Sequence, residues 1–269
     1  MTHLKIAMCL PWYAGSDQDT VANNLSFQHY LGRLRERADW LSELDGHGPD
    51  LDNREIPLDP HNTTGWSEKI PRNTTFEFGI ADQIGCSLVG MARDKAVDDA
   101  LEWGADRILM WDDDMLFGTD IFLRLLAADK PLVAALAFTG RVPTLPVIYS
   151  FHEFDSGPTG IQVRIEPVLN YKRNALQQVD AVGFGMVMIK SEVFRAIPKP
   201  WFNNPGVGED IQFCLRMKQH DLGVWVDTAA KTIHKPTVHA KWHDELYFDR
   251  QQAGYCPHCG EKKTGAPAP

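Results

Sequence analysis

The apolar runs ADRILMW (105–111) and PLVAALAF (131–138) constrain what this chain can fold into more than any other feature. Each is short, carries a continuous apolar stretch, and is suited to a strand buried on both faces. Between them, GTDIFLRLLAAD (118–129) reads as a helix with Thr119 as its N-cap. Strand, helix and strand in series call for parallel pairing, with helices packed against the sheet.

The same alternation extends along the chain. LKIAMCLP (4–11) is a buried first strand stopped by Pro11, and FEFGI (76–80) is a second. SLVGMARDKAVDDALEW (87–103) predicts a helix with Leu88, Met91, Ala92, Ala96, Ala100 and Trp103 on its inner side. Gly104 closes that helix, as a glycine just past a helix end often does. A helical stripe runs through Leu25, Tyr30, Leu31, Leu34, Ala38, Leu41 and Leu44 over residues 20–44.

Residues 45–75 have little apolar periodicity and read as a surface excursion or lid. PVIYSF (146–151), GIQVRIEPVL (160–169) and QVDAVGFGMVMIK (178–190) are shorter, antiparallel-type strands. Helices over 191–196 and 209–220 follow, separated by a Pro/Asn/Gly loop, then two short strands at VWVD (224–227) and KTIH (231–234). The expectation is an α/β fold: a mixed, mainly parallel central sheet flanked by helices, with a small antiparallel sheet. Residues 1–252 form one domain, and 253–269 a tail of different composition.

Composition narrows the function classes. A net charge of -9 gives no general electrostatic help in binding nucleic acid. No apolar stretch is long enough to span a membrane, and the N-terminus goes directly into a strand pattern rather than a signal-peptide layout. The five cysteines are an odd number in mostly apolar surroundings, so a reduced, cytoplasmic protein is expected.

The chemistry concentrates where ADRILMW ends in Asp112, Asp113 and Asp114. Ligands of open α/β sheets bind beyond the carboxyl ends of the strands. Along an extended segment Asp112 and Asp114 share one side, and Asp113 takes the other. Two converging carboxylates suit Mg²⁺ or Mn²⁺, which commonly bridge to substrate phosphates. A solvated acidic turn is the bland alternative; delivery by a buried strand, with Met115-Leu116-Phe117 following, favours the metal. The glycines around Phe184, Gly183 and Gly185, lie inside a strand pattern and point to a bulge or a close backbone approach to a ligand. CPHCG (256–260) is a zinc-knuckle turn; Cys256 and Cys259 supply half of a Zn²⁺ site, and His243, His258 or a partner chain would complete it.

Here the sequence resembles glycosyltransferases with the GT-A fold. D-x-D after a hydrophobic strand is similar to their metal and nucleotide-sugar motif. MARDKAVDDALEWGADRILMWDDDM resembles their segment in which a helix bearing Arg-Asn or Arg-Asp precedes the D-x-D strand. VDAVGFGMVMIKSEVF resembles their acceptor-side strand, and PGVGEDIQFCLRMKQHDLGVWVD their Gly-Glu-Asp helix with its following strand. TIH places His234 where many members supply a third metal ligand. The likeness runs over about residues 4–240.

The resemblance implies a UDP- or GDP-sugar donor, an unidentified acceptor and Mn²⁺ or Mg²⁺ held by Asp112, Asp114 and His234. His239 is the alternative third ligand, with His243 close in sequence. Imidazole beside carboxylates suits Mn²⁺ better. Asp210, ahead of Glu209, looks like the general base if the enzyme inverts, and an orienting acid if it retains configuration. Arg93 and Asp94 would contact the nucleotide or brace the site, although Asp94 departs from the more usual Asn. Pro11, Trp12 and Tyr13 lie where such folds hold the base of the nucleotide, and Asp113 is left for the sugar or ribose. A nucleotidyltransferase on a related sheet and a non-catalytic nucleotide-sugar or glycan-binding module are the alternatives. The loop LPWYAGSDQD has no Lys or Arg, which disfavours the nucleotidyltransferase.

Overall fold

The structure is a computed structural model that describes residues 2–9, 11–12, 31, 70, 74–81, 83–84, 88–118, 120–140, 144–155, 161–202 and 206–234. β1 (Thr2–Cys9) pairs in parallel with β3 (Thr74–Ile80) on one side and β5 (Arg107–Trp111) on the other. β12 (Met186–Lys190) runs antiparallel between β5 and β7 (Leu132–Leu136). β13 (Val224–His234) is parallel to β7, and β10 (Leu176–Val179) is antiparallel to β13. The order is β10–β13–β7–β12–β5–β1–β3, with β6 (Met115–Phe117) paired to the far end of β13. Five strands run one way, and β6, β10 and β12 run the other. A separate antiparallel sheet has β8 (Ile148–Asp155) between β9 (Ile161–Pro167) and β11 (Ala181–Val182). The short β2 (Pro11–Trp12) and β4 (Gln83–Ile84) pair in parallel.

The central strands are apolar except at an end residue, Arg107 of β5 and Lys190 of β12, because both sheet faces are covered. Ile108 and Met110 of β5 join one core cluster, and Leu109 and Trp111 join the other. Val187 and Ile189 of β12 divide from Met186 and Met188 in the same way. α1 (Val89–Trp103) and α4 (Glu209–Gln219) cover the first face, together with α3 (Ser191–Ala196). α2 (Ile121–Ala128) covers the second. Phe213 of α4 is fully buried, stacked 4.9 Å from Phe202 and 5.3 Å from Phe194. Each such ring contributes roughly 1.5–3 kcal/mol through burial.

The structure corrects several expectations. α1 ends at Gly104 (φ 84) as expected, but Leu88 and Met91 are 60% and 63% exposed. Arg93 turns inward instead, because it meets two carboxylates there. α2 begins at Ile121 with Asp120 in the cap position and no side-chain cap bond; Thr119 lies outside the described residues. The two short strands at 224–227 and 231–234 are one strand, interrupted by a bulge. Gly183 and Gly185 flank the turn between β11 and β12 rather than lying inside a strand. Thr74 and Thr75, assigned to the excursion, belong to β3. Of the expected helix over 20–44 only Leu31 is described; it is helical and buried in the cluster that holds α2.

α1 approaches the loop before α4 very closely. A Cβ at Gly90 would lie 2.3 Å from the carbonyl oxygen of Phe202, a backbone atom that cannot swing away. Alanine in place of glycine favours a helix by roughly 0.5–1 kcal/mol, whereas forced overpacking costs about 1–3 kcal/mol. Gly90→Ala is therefore expected to lower the free energy of unfolding in a urea titration; a gain in stability would show that the contact yields freely.

Candidate active site

The carboxyl ends of three parallel strands meet at one cavity of about 550 Å³. β5 runs into Asp112, β7 into Ala137 and Phe138, and β13 ends at His234, all of which line it. The antiparallel β12 brings its amino end to the same edge, so the turn Gly183-Phe184-Gly185 forms part of the wall. Asp210, in the first turn of α4, completes the acidic side.

Asp112 and Asp114 both line the cavity, but not through strand alternation. The chain turns after Asp112, whose carbonyl accepts the N–H of Met115 at 3.2 Å. The turn points Asp112 and Asp114 into the cavity, whereas Asp113 is buried and does not line it. The Asp112 N–H is held by the Gly185 carbonyl at 3.2 Å, which ties the turn to β12.

Arg93 is the pivot of the acids. It is 4% exposed, donates to Asp112 at 2.7 Å and to Glu209 at 2.5 Å, and lies over the Phe184 ring. Burial works against its charge, yet Asp112, Glu209 and Asp210 together outweigh burial and raise its pKa. Burial pushes the Asp112 pKa up to about 6; Arg93 opposes that shift, and repulsion from Asp114 and Asp210 adds to it. Asp210 is raised by burial as well, against the pull of Arg93 and of the backbone N–H groups of Ile211, at 2.7 Å, and Phe184. Glu209 is held by Arg93 and does not line the cavity.

His234 faces Asp114, 120 residues away in sequence, with Nε2 2.9 Å from Oδ2. Its Nδ1 lies 3.1 Å from the Phe138 carbonyl. A carbonyl only accepts, so Nδ1 carries a proton and Nε2 is left to share one with Asp114. That hydrogen bond raises the pKa of His234. The ring packs against Gly140, where a Cβ would sit 3.3 Å from it.

The structure thus gathers Asp112, Asp114, Asp210, His234, Gly183 and Gly185 at one cavity, with Arg93 and Glu209 directly behind. Asp94 is elsewhere: its Oδ1 accepts the backbone N–H groups of Trp201 and Phe202 at 2.9 and 3.1 Å, which pins the loop before α4. Pro11 and Trp12 are described only as strand β2; Tyr13, His239, His243, Cys256 and Cys259 lie outside the described residues. The wall from Phe138 to Gly140 was missed in the sequence. Its signal was present, since PLVAALAF also ends at the carboxyl edge of the sheet. Among the described residues no three or more His, Cys, Asp or Glu side chains are gathered as a metal cage. Asp112 is turned onto Arg93, and Asp114 onto His234.

No protein-family model matches the sequence, and no curated protein matches it. Solved structures match the fold. GalNAc-T7, in a crystal structure with UDP, GalNAc and Mn²⁺, aligns with TM-score 0.50 and 11% identity over 86% of this chain and 43% of its own. A Drosophila β-1,4-galactosyltransferase 7 mutant, complexed with manganese, UDP-Gal and xylobiose, aligns with TM-score 0.43 and 12% identity, over 91% of this chain and 79% of its own. Apo UDP-glucose pyrophosphorylase aligns with TM-score 0.41 and 10% identity, over 92% of this chain and 98% of its own. The last two likenesses are too distant to carry weight. The strand order, the mixed sheet and the likeness to GalNAc-T7 agree: the chain has a GT-A-like fold.

Proposed function

We propose that this chain is a metal-dependent glycosyltransferase that moves a sugar from a nucleotide-diphosphate donor, a UDP- or GDP-sugar, to an acceptor hydroxyl. One observation carries the reading. Two carboxylates and an imidazole, from residues 112, 114 and 234, open on a single cavity at the carboxyl edge of the sheet, together with a third acid, Asp210, on α4. None of the described residues lining that cavity is Lys or Arg. A diphosphate entering such a site needs a cation that the walls do not supply.

The donor set fits Mn²⁺, or Mg²⁺. With Nδ1 engaged by the Phe138 carbonyl, His234 directs Nε2 at Asp114. That orientation is usual for a metal-bound histidine, and a cation there replaces the shared proton. Asp112, Asp114 and His234 would hold the ion, which when bound neutralises the diphosphate as it leaves. Arg93 keeps Asp112 ionised and oriented, and holds Glu209 away from the acceptor. Asp210 then faces the acceptor hydroxyl, as general base or as orienting acid. Its raised pKa, due mainly to burial, makes it a better proton acceptor than an exposed carboxylate. Pro11, Trp12 and Tyr13 remain the proposed base-binding stretch, Asp113 a donor-side acid, and Cys256 and Cys259 a proposed zinc half-site in the tail at 253–269. Asp94 is reassigned to the loop before α4. Among the described residues no helix is long and apolar enough to cross a membrane, and the buried Cys214 thiol supports the proposed cytoplasmic setting.

The test is a panel of UDP-, GDP- and TDP-sugars with Mn²⁺ or EDTA, read by release of free nucleotide and by thermal shift. Metal-dependent binding or donor hydrolysis is expected with at least one donor; none with any donor would sink the reading. Asp112→Asn and Asp114→Asn should each cut turnover by at least ~100-fold with circular dichroism unchanged, and full activity in both would remove the metal assignment. Asp210→Asn should cut turnover by roughly 10²–10⁴-fold while Mn²⁺ and donor binding persist. If Glu209→Gln instead shows that pattern and Asp210→Asn does not, the roles of the two acids are reversed.

A further inference from the structure

The bulge in β13 bears on how His234 reaches the cavity. Between the pairs Asp227↔Ala135 and Lys231↔Leu136, β13 advances four residues while β7 advances one. Thr228, Ala229 and Ala230 are the extra residues. An odd number of extra residues inverts the faces that the rest of a strand presents. Carried past the last pair, at Leu136, the uninterrupted count from Val224↔Leu132 would bring Lys231 level with Thr139, and the count from Lys231↔Leu136 brings His234 there instead. Thr139 lines the cavity. The bulge therefore decides that an imidazole, and not an ammonium, reaches that position, and bulges beside functional sites commonly re-aim a side chain in this way.

Two sets of bonds hold the bulge. Asp227 Oδ1 accepts the N–H of Ala229 at 2.9 Å, and Oδ2 accepts from Nη2 of Arg124 on α2 at 2.8 Å. Both side chains of this pair are almost wholly buried. From the turn before β10, the Ala175 carbonyl accepts the N–H of Thr228 at 3.0 Å, and the Thr228 hydroxyl accepts the N–H of Ala175 at 2.9 Å while donating to the Lys172 carbonyl at 2.7 Å. A buried ion pair is often no more stabilising than apolar residues of the same volume, and its best-attested use is to fix one register.

We propose that Arg124 and Asp227 are positioning residues for His234: their ion pair locks the three-residue bulge of β13 and so sets the register in which His234 meets Asp114. The inference rests on the reading of His234 as a metal ligand, and the experiment separates the two. Mn²⁺ uptake by the full chain is followed by the EPR signal of the free ion, and histidine coordination by nitrogen modulation in pulsed EPR. His234→Ala defines the loss of both. Arg124→Met combined with Asp227→Leu replaces the pair by apolar residues and leaves the Ala229 N–H without its acceptor. Mn²⁺ affinity is expected to fall about 10-fold or more, and the nitrogen modulation to disappear. Arg124→Lys, which keeps both Asp227 oxygens and a cation opposite them, should retain most of both.

Hydrogen exchange on the unmodified protein reads the same coupling, since a ligand at His234 must stabilise whatever positions it. Saturation with Mn²⁺ should slow exchange in Val224–His234 more than in Thr74–Ile80. This measurement decides alone if the double variant does not fold. Unchanged affinity and modulation in a folded double variant, or unchanged exchange in Val224–His234 on loading, overturns the inference and leaves the metal reading intact. No Mn²⁺ uptake by the unmodified protein, or full uptake by His234→Ala, overturns the metal reading and the inference with it.

Discussion

One buried guanidinium organises the acidic end of this molecule. Arg93 bonds Asp112, in the turn after β5, and Glu209, at the start of α4, while Phe184 packs beneath it. Without a cation at that point, four carboxylates from two distant segments would crowd one edge of the sheet, and none would stay ionised cheaply. With it, Asp112 and Asp210 are brought to one cavity from two distant segments of the chain. The geometry of α1 follows from this demand. The helix turns Arg93 inward and leaves Leu88 and Met91 in solvent, because an unpaired buried charge costs more than two exposed methylene chains gain.

The same logic explains the loop before α4. Asp94, next to Arg93, accepts two backbone N–H groups at Trp201 and Phe202. Arg216 of α4 donates to the carbonyls of Pro198, Pro200 and Trp201. Acid and base thus grip the loop through opposite backbone groups, and the aromatic stack of Phe194, Phe202 and Phe213 fills the space below. α4 starts from a fixed platform, which gives Asp210 a defined approach to the cavity.

Much of this was legible in the sequence, and the failures have physical causes. β5 and β7 were readable because a strand covered on both faces must be apolar at every buried position. The triplet after β5 was readable because acids at the end of such a strand stand out. The inward face of α1 was misread because apolar spacing carries no information about a buried arginine whose partners lie 19 and 116 residues away. β13 was read as two strands because three extra residues break its period, and local pattern cannot reveal that both halves pair with one neighbour. Asp112 and Asp114 fall on one side, as alternation suggests, but a turn and not a strand puts them there. The wall at Phe138–Gly140 carries no charged residue to draw the eye.

The position of β12 has a consequence for how the chain assembles. β5 and β7 are near neighbours in sequence, separated by the short β6 and one helix, yet in the sheet they are held apart by a strand that the ribosome makes some fifty residues later. Until Met186–Lys190 emerges, both leave apolar backbone edges without their central partner. Non-local pairing of this kind slows folding and exposes nascent sheets to aggregation. The amino-terminal half therefore cannot complete its sheet until that strand arrives, and its exposure during synthesis is set by the topology rather than by the net stability of the finished fold.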